Sequence, residues 1–131
     1  MKTLTVKSHQ QVEFIDITHD VLKAIREDNI TEGLAVIYTS HTTAAITINE
    51  NADPDVGRDI IMGIDKLVPL RDHYRHREGN SAAHIKSSLF GASETLIIHN
   101  GNPVLGTWQG IYFCEFDGPR QRRVHIQTVG T

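Results

Sequence analysis

Cysteine and long apolar runs are both scarce in this sequence. Its 131 residues include one cysteine, Cys114, which cannot form an internal disulfide, so the class of small secreted proteins stapled by disulfides is excluded. The apolar runs are far shorter than the roughly 18 residues of a membrane-spanning helix, which excludes a membrane span. No apolar signal-peptide segment follows Met1, so we expect a cytoplasmic protein.

Positive charge is also in short supply overall. Thirteen basic residues face sixteen acidic ones, for a formal net charge of −3, which is unfavourable for binding a nucleic-acid backbone. The GxSxG, GxGxxG and CxxC motifs are absent, which weakens hydrolase, dinucleotide-binding and redox interpretations. What the chain does have is eight histidines and clustered arginines, which favour a site for a small anion.

The length and the hydrophobic patterning predict one domain over residues 1–131. We expect an α+β fold, with a mostly antiparallel sheet or sandwich, two main helices and one short helix. A chain of this size buries roughly two-thirds of the surface that its unfolded form exposes, which is enough for a core. The predicted strands are 3–7, 12–17, 34–38, 44–49, 95–99, 103–105, 108–116 and 122–129.

Three predicted helices follow from capping signals. Thr18 is the expected N-cap of a helix over 19–29, and Asp53-Pro54 begins a second helix that ends near Val68. Asn80 or Ser81 begins a short third helix, which Gly91 ends.

Several predicted strands carry further expectations. Residues 34–38 form a continuous apolar run, which is typical of a buried strand. Asn100-Gly101 indicates a hairpin turn, because both residues accept positive φ. Residues 122–129 are expected to return across the turn at 117–119. Glu115 would then pair with Arg120, Arg122 or Arg123 across that turn, or else face solvent.

The third predicted helix is a candidate anion site. The start of a helix presents free N–H groups and partial positive charge, which favour a phosphate. Arg75 and Arg77 precede this start, Asn80 and Ser81 form it, and Ser87 lies one turn beyond His84. An ordinary surface loop with a capped helix explains the same residues equally well.

The histidines are candidate metal ligands, for a divalent ion such as zinc or magnesium. His41, His76 and His84 lie in predicted loops or at a helix start, where side chains can converge. The spacing between His76 and His84 does not force convergence, so solvated or capping histidines remain the alternative.

Three further residues each have more than one interpretation. Glu78 could be a general base, a metal ligand or a partner of the helix dipole. Asp117 is first a turn residue, with a catalytic role as the alternative. Trp108 is either a core anchor or a platform for a flat ligand.

Six segments of the chain carry a resemblance to one family. They are His41–Ala45, Asn49–Val56, His76–His84, Ser87–Leu89, Leu105–Tyr112 and Glu115–Arg120. Together they resemble the YjbQ family, also called UPF0047, and the resemblance runs from the first strand to Gly130. It implies a small α+β protein that forms trimers. It also implies a secondary thiamine-phosphate synthase, which joins an aminopyrimidine-methyl diphosphate to a thiazole phosphate and releases diphosphate.

The resemblance and the residue chemistry together define two hypotheses. The first is an enzyme acting on a phosphorylated small molecule, and the second is a trimer that binds a metal or phosphometabolite without catalysis. The expected catalytic residues are Glu78, His84, His76 and Asp117. The expected substrate-binding residues are Asn80, Ser81, Arg75, Ser87, Trp108 and Arg120. The expected metal ligands are His41, His76 and His84.

Overall fold

The computed structural model describes residues 1–131 as eight strands and three helices. The strands are β1 (Lys2–Lys7), β2 (Glu13–Asp16), β3 (Gly33–Tyr38), β4 (Ala44–Glu50), β5 (Ser93–His99), β6 (Asn102–Pro103), β7 (Gln109–Glu115) and β8 (Gln121–Gly130). The helices are α1 (Thr18–Arg26), α2 (Pro54–Leu67) and α3 (Ser81–Phe90). None of them combines the length and apolar character needed to cross a membrane.

The strands form two antiparallel sheets, which confirms the predicted α+β class. The larger sheet has the order β1-β8-β3-β5-β6, and the smaller one has the order β2-β7-β4. One core of 15 buried residues draws on both sheets and on α1. The two sheets therefore share a hydrophobic interior, as in a sandwich.

Strand β3 corrects the prediction of a strand buried on both faces. Ala35 and Ile37 are fully buried, whereas Leu34, Val36 and Tyr38 are 46%, 36% and 43% exposed. The strand is central in its sheet, but only one face of that sheet meets the core. A run of apolar letters does not distinguish these two situations, because side chains alternate between faces whatever their chemistry.

Strands β7 and β8 do not form the predicted hairpin. Strand β7 pairs with β2 and β4, whereas β8 pairs with β1 and β3 in the other sheet. The segment between them, which includes the cis Gly118–Pro119 peptide, carries the chain from one sheet to the other. Residues that were expected to face each other across a hairpin therefore meet in the interior between the sheets.

Helix boundaries confirm some capping predictions and correct one. Asp53 caps α2, its carboxylate accepting a hydrogen bond from the Asp55 N–H at 2.9 Å. Thr18 is not the N-cap of α1 but its first residue, following Ile17. The Thr18 hydroxyl accepts from the Ile111 N–H of β7 at 2.8 Å, and Asp16 Oδ1 accepts from the Thr18 N–H at 2.9 Å.

Helix α3 positions most of the candidate site. It has 10 residues against nine in α1, so it is not the single short helix that was predicted. Gly91 ends it with a φ of 94°, a conformation that glycine adopts without steric cost. Its buried Lys86 forms an ion pair with Asp65 of α2 and lies 5.9 Å from the Phe116 ring centroid. This contact ties α2 and α3 to the end of β7.

Candidate functional site

A buried ion pair between Glu115 and Arg122 lies in the interior next to the candidate site. The two side chains are 0% and 2% exposed, and Arg122 donates to both carboxylate oxygens, with Nε 2.9 Å from Oε1. Ser8 Oγ donates to Oε1 at 2.7 Å, and the Asp117 N–H donates to Oε2 at 3.1 Å. This pair confirms the expected Glu–Arg contact, although it joins two sheets rather than two strands of a hairpin.

The same arginine holds the loop between β3 and β4. Arg122 donates to the Thr43 hydroxyl at 2.8 Å, while the neighbouring Arg123 N–H donates to His41 Nε2 at 3.0 Å. Thr39 Oγ1 donates to the Arg123 carbonyl at 3.1 Å. Strand β8 therefore anchors the His41 loop through backbone and side-chain bonds together.

The charges of this network shift two pKa values. Burial lowers the pKa of the His41 imidazole, and the positive charge of Arg122 lowers it further. Burial alone would raise the pKa of the Glu115 carboxyl, but hydrogen bonds from Arg122, Ser8 and the Asp117 N–H outweigh it and bring the pKa below its ordinary value. The ordinary forms here are thus a neutral His41 and an ionised Glu115.

A second chain of contacts joins the start of α3 to the end of β7. Asn80 Nδ2 donates to Asp117 Oδ2 at 3.0 Å, and Arg120 donates to the same oxygen at 3.1 Å. Asn80 therefore makes no capping bond to α3, contrary to the expected cap, and its buried Oδ1 has no partner. The Ala83 and His84 N–H groups donate to the Asn80 carbonyl, so the N–H groups of Ser81 and Ala82 are those left to bind an anion at the start of α3.

Two clefts meet at His84. The first, of about 400 Å³, contains four residues predicted from sequence, namely Arg75, His76, Ser81 and His84. Its two imidazole rings stand edge to face, with centroids 5.7 Å apart. The second cleft, of about 490 Å³, contains His84 together with His41 and Ser87. His84 therefore lines both clefts. Arg75 lines the first cleft, and the loop that contains His41 lines the second.

The three histidines do not form the expected metal centre within one chain. No group of three or more His, Cys, Asp or Glu side chains is arranged to hold a metal ion. His41 Nε2 is occupied by the Arg123 N–H, which leaves that nitrogen no lone pair for a metal. The donor set of a single chain therefore does not fit a divalent cofactor.

Glu78 and Ser87 do not make the contacts that their predicted roles would require. Glu78 is not hydrogen-bonded to His76, and Ser87 is bonded to the backbone. The Glu78 side chain is 75% exposed, and its Oε2 is 3.8 Å from His76 Nε2, beyond hydrogen-bond distance. Ser87 Oγ lies 2.6 Å from the Thr42 carbonyl and 2.9 Å from the His84 carbonyl, so its proton is directed to the backbone.

Trp108 lies away from the other candidates. It precedes β7, whereas Asp117 follows the same strand, and the seven residues between Gln109 and Glu115 span roughly 20 Å. Its backbone carbonyl accepts from the Asn51 N–H at 3.0 Å, and the residue is 62% exposed. Trp108 is thus neither a core anchor nor a member of the clefts in its own chain.

Sequence reasoning missed three residues that support the site. Ser8 bridges Glu115 and the Arg120 N–H, Thr43 receives Arg122, and Lys86 is only 4% exposed. The one available signal was Lys86, whose position in α3 falls among apolar and small residues. Thr43 lies in the segment His41–Ala45, but neither it nor Ser8 showed its partner, because those partners are 79 and 107 residues away.

Comparison with known proteins gives consistent relatives along the whole chain. The sequence pattern of the family described as "UPF0047 protein YjbQ-like" matches residues 2–131. The UPF0047 protein YugU of Bacillus subtilis is 54% identical over 131 residues, covering 99% of both chains. A UPF0047 protein of Methanocaldococcus jannaschii is 54% identical over 125 residues, covering 95% of this chain and 91% of the relative.

Solved structures agree with the fold. A YjbQ/UPF0047 protein from Clostridium acetobutylicum superposes with a TM-score of 0.97 at 53% identity, covering 98% of this chain and 100% of the other. A protein of unknown function from Sulfolobus solfataricus gives 0.96 at 30% identity, covering 99% and 96%. By sequence pattern and by fold, the chain belongs to the YjbQ-like UPF0047 family.

Proposed function

We propose that this protein is a transferase of the thiamine-phosphate synthase type. It would join an aminopyrimidine-methyl diphosphate to a thiazole phosphate. The observation that carries the proposal is the position of His84, which borders two clefts beside Arg75, His41 and the start of α3. Two adjoining clefts offer space for two phosphorylated substrates.

The reaction requires no covalent bond between the protein and either substrate. The thiazole nitrogen forms a bond to the pyrimidine methylene carbon, and the bond from that carbon to the diphosphate oxygen breaks. Diphosphate leaves with the electron pair, so the developing charge must be stabilised by cations and N–H groups. Arg75 and Ser81 line the first cleft, and the uncapped start of α3 adds its N–H groups. In this proposal His76 and His84 bind the phosphate oxygens or transfer protons to them.

The catalytic proposal is tested with a matched pair of histidine variants. The purified protein is supplied with the two precursors, and both thiamine phosphate and released diphosphate are quantified. We expect His84→Ala to lower turnover about 100-fold or more. His19→Ala is the control, because His19 is exposed on α1. Unchanged turnover in His84→Ala would remove that residue from the site, and no product with the wild type would refute the reaction.

A binding protein without catalysis is the second candidate. The observation that favours it is the loose geometry around Glu78, whose carboxylate is mostly exposed and not hydrogen-bonded to His76. Under this alternative, diphosphate stabilises the folded protein in a thermal shift while the precursors remain unconverted. Multiple turnover excludes it.

We also propose that the protein assembles as a homotrimer through the outer face of the larger sheet. This face is defined by the exposed side chains of Leu34, Val36, Tyr38, Ile97 and Val129. Leu34 is in register with Ile97 on one side and Val129 on the other, so the apolar surface is continuous. Contiguous apolar surface of this kind favours association, and a second copy of the chain is the occupant we propose.

The outer face adjoins the candidate site, because Tyr38 also borders the cleft of His41 and His84. Since Trp108 and Asp117 lie at opposite ends of β7, roughly 20 Å apart, and Trp108 lines neither cleft of its own chain, we propose its stacking role for the cleft of a neighbouring copy. Light scattering should give three times the mass of the chain. Leu34→Lys should lower that mass, and Met62→Lys on the exposed side of α2 should not. A wild-type monomer would refute the assembly.

A further inference from the structure

The His41 ring accepts a hydrogen bond from a group that can only donate. Its Nε2 lies 3.0 Å from the Arg123 backbone nitrogen, whose proton points to the ring. A backbone N–H has no acceptor capacity, so Nε2 must be the unprotonated nitrogen. The neutral ring therefore carries its proton on Nδ1.

This contact is held from both sides. Arg123 lies within β8, where its neighbour Arg122 is locked to Glu115, and Thr39 donates to the Arg123 carbonyl. Two residues after His41 in the same loop, Thr43 accepts a hydrogen bond from the Arg122 side chain. Arg123 is therefore held at its carbonyl by Thr39 while its N–H is directed to the His41 ring.

The second ring nitrogen is free and accessible. Nδ1 has no hydrogen-bond partner in the protein, and it is not among the buried polar atoms that lack one, of which Asn80 Oδ1 is the single case. The residue borders the 490 Å³ cleft with His84 and Ser87. The positive charges of Arg122, Arg120 and Arg123 act on the ring, and the negative charge of Glu115 opposes them.

We infer that His41 serves the ligand as a hydrogen-bond donor through Nδ1–H, directed at an anionic oxygen such as that of a phosphate. The anionic oxygen rests on the proposed function; the donor character rests on the Arg123 contact alone. Because protonation of Nε2 would displace the Arg123 N–H, His41 acts neither as a general base nor as a metal ligand through that nitrogen. Its role is to orient the ligand, and the chemistry falls to other groups.

The tautomer is measured directly on the free wild-type protein. Long-range proton–nitrogen spectra of protein labelled with ¹⁵N-histidine distinguish a ring protonated on Nδ1 from one protonated on Nε2. His41, assigned by its absence from the spectrum of His41→Asn, should show the Nδ1–H form. An Nε2–H form, or rapid exchange between the two, would overturn the inference whatever the protein binds.

Two isosteric variants test the contact with the ligand. The amide nitrogen of Asn occupies the place of imidazole Nδ1, whereas the amide of Gln reaches the place of Nε2. With diphosphate as the calorimetric probe, we expect His41→Asn to stay within about fivefold of wild type. His41→Gln should lose about 10-fold or more, as expected for a hydrogen bond to a charged group.

The reverse order of the two affinities would overturn the donor role, and so would equal losses in variants that melt like the wild type. A wild type that binds no diphosphate refutes the proposed function and the anionic ligand. The tautomer measurement then still shows whether Nδ1 of His41 carries the proton. The two failures are therefore distinguishable.

Discussion

The Glu115–Arg122 pair contributes to both the fold and the site, because it joins the two sheets and Arg122 also binds Thr43 in the loop that contains His41. Glu115→Gln keeps the shape of the side chain and removes its charge. The Arg122 guanidinium, 2% exposed, then remains buried without its counter-charge. Breaking a buried pair from one side costs about 3–5 kcal/mol. Since a single domain is stable by only about 5–15 kcal/mol, we expect Glu115→Gln to lose a large share of the free energy of unfolding.

The measurement is urea denaturation followed by far-ultraviolet circular dichroism. Fluorescence is a poor alternative, because Trp108 is 62% exposed in the folded chain and changes its surroundings little on unfolding. Asp55→Asn is the matched control, since it breaks an ion pair with Arg58 whose side chains are 71% and 76% exposed. We expect that control to change stability by less than about 1 kcal/mol.

Acid provides an independent reading of the same pair. The pKa of Glu115 is lower in the folded protein than its ordinary value of 4.5, so the pair stabilises the fold fully above about pH 4.5. This stabilisation is lost as the pH falls below 4.5 through the folded pKa. Glu115→Gln should lack that part of the acid sensitivity. A loss under about 1 kcal/mol at neutral pH, or an unchanged acid profile, would refute the reasoning.

Two other predictions concern glycine and cysteine. Gly33→Ala should destabilise the protein by about 1–3 kcal/mol, because its new Cβ would lie 2.0 Å from the backbone oxygen of Val129. Gly63→Ala, in α2 with open space around it, should instead stabilise by about 0.4–1 kcal/mol; urea midpoints of the two variants moving in the same direction would contradict the packing. Cys114 is fully buried, and burial raises the pKa of its thiol, so an aromatic disulfide reagent should label it only after unfolding.

Local signals were predictive where the physics is local. Asp53 caps α2 through a contact two residues away, and Asn100 and Gly101 take φ angles of 50° and 80° in the predicted turn. The same holds for Gly91 at the end of α3. In each case the residue type alone determines which backbone conformation is favourable.

Predictions failed where two distant segments compete for one group. Thr18 has the composition of an N-cap, yet its hydroxyl is taken by Ile111, 93 residues away. Asn80 likewise turns to Asp117 rather than capping its own helix. The three histidines show the same limit of local prediction. Their residue type indicated metal binding, but one nitrogen of His41 accepts a hydrogen bond from the distant Arg123 N–H.

The sequence by itself determined the α+β class, most element positions, the family and the polar segments that contain the candidate residues. These follow from periodicity, capping and residue chemistry, which act over a few neighbours. Only the tertiary structure decided that β7 and β8 belong to different sheets and that Glu115 and Arg122 are buried together. It also decided that His84 borders two clefts, whereas Trp108 lies at the opposite end of β7 from Asp117. These outcomes depend on which strands pair, and pairing is set by burying apolar faces across the whole chain rather than by any local pattern.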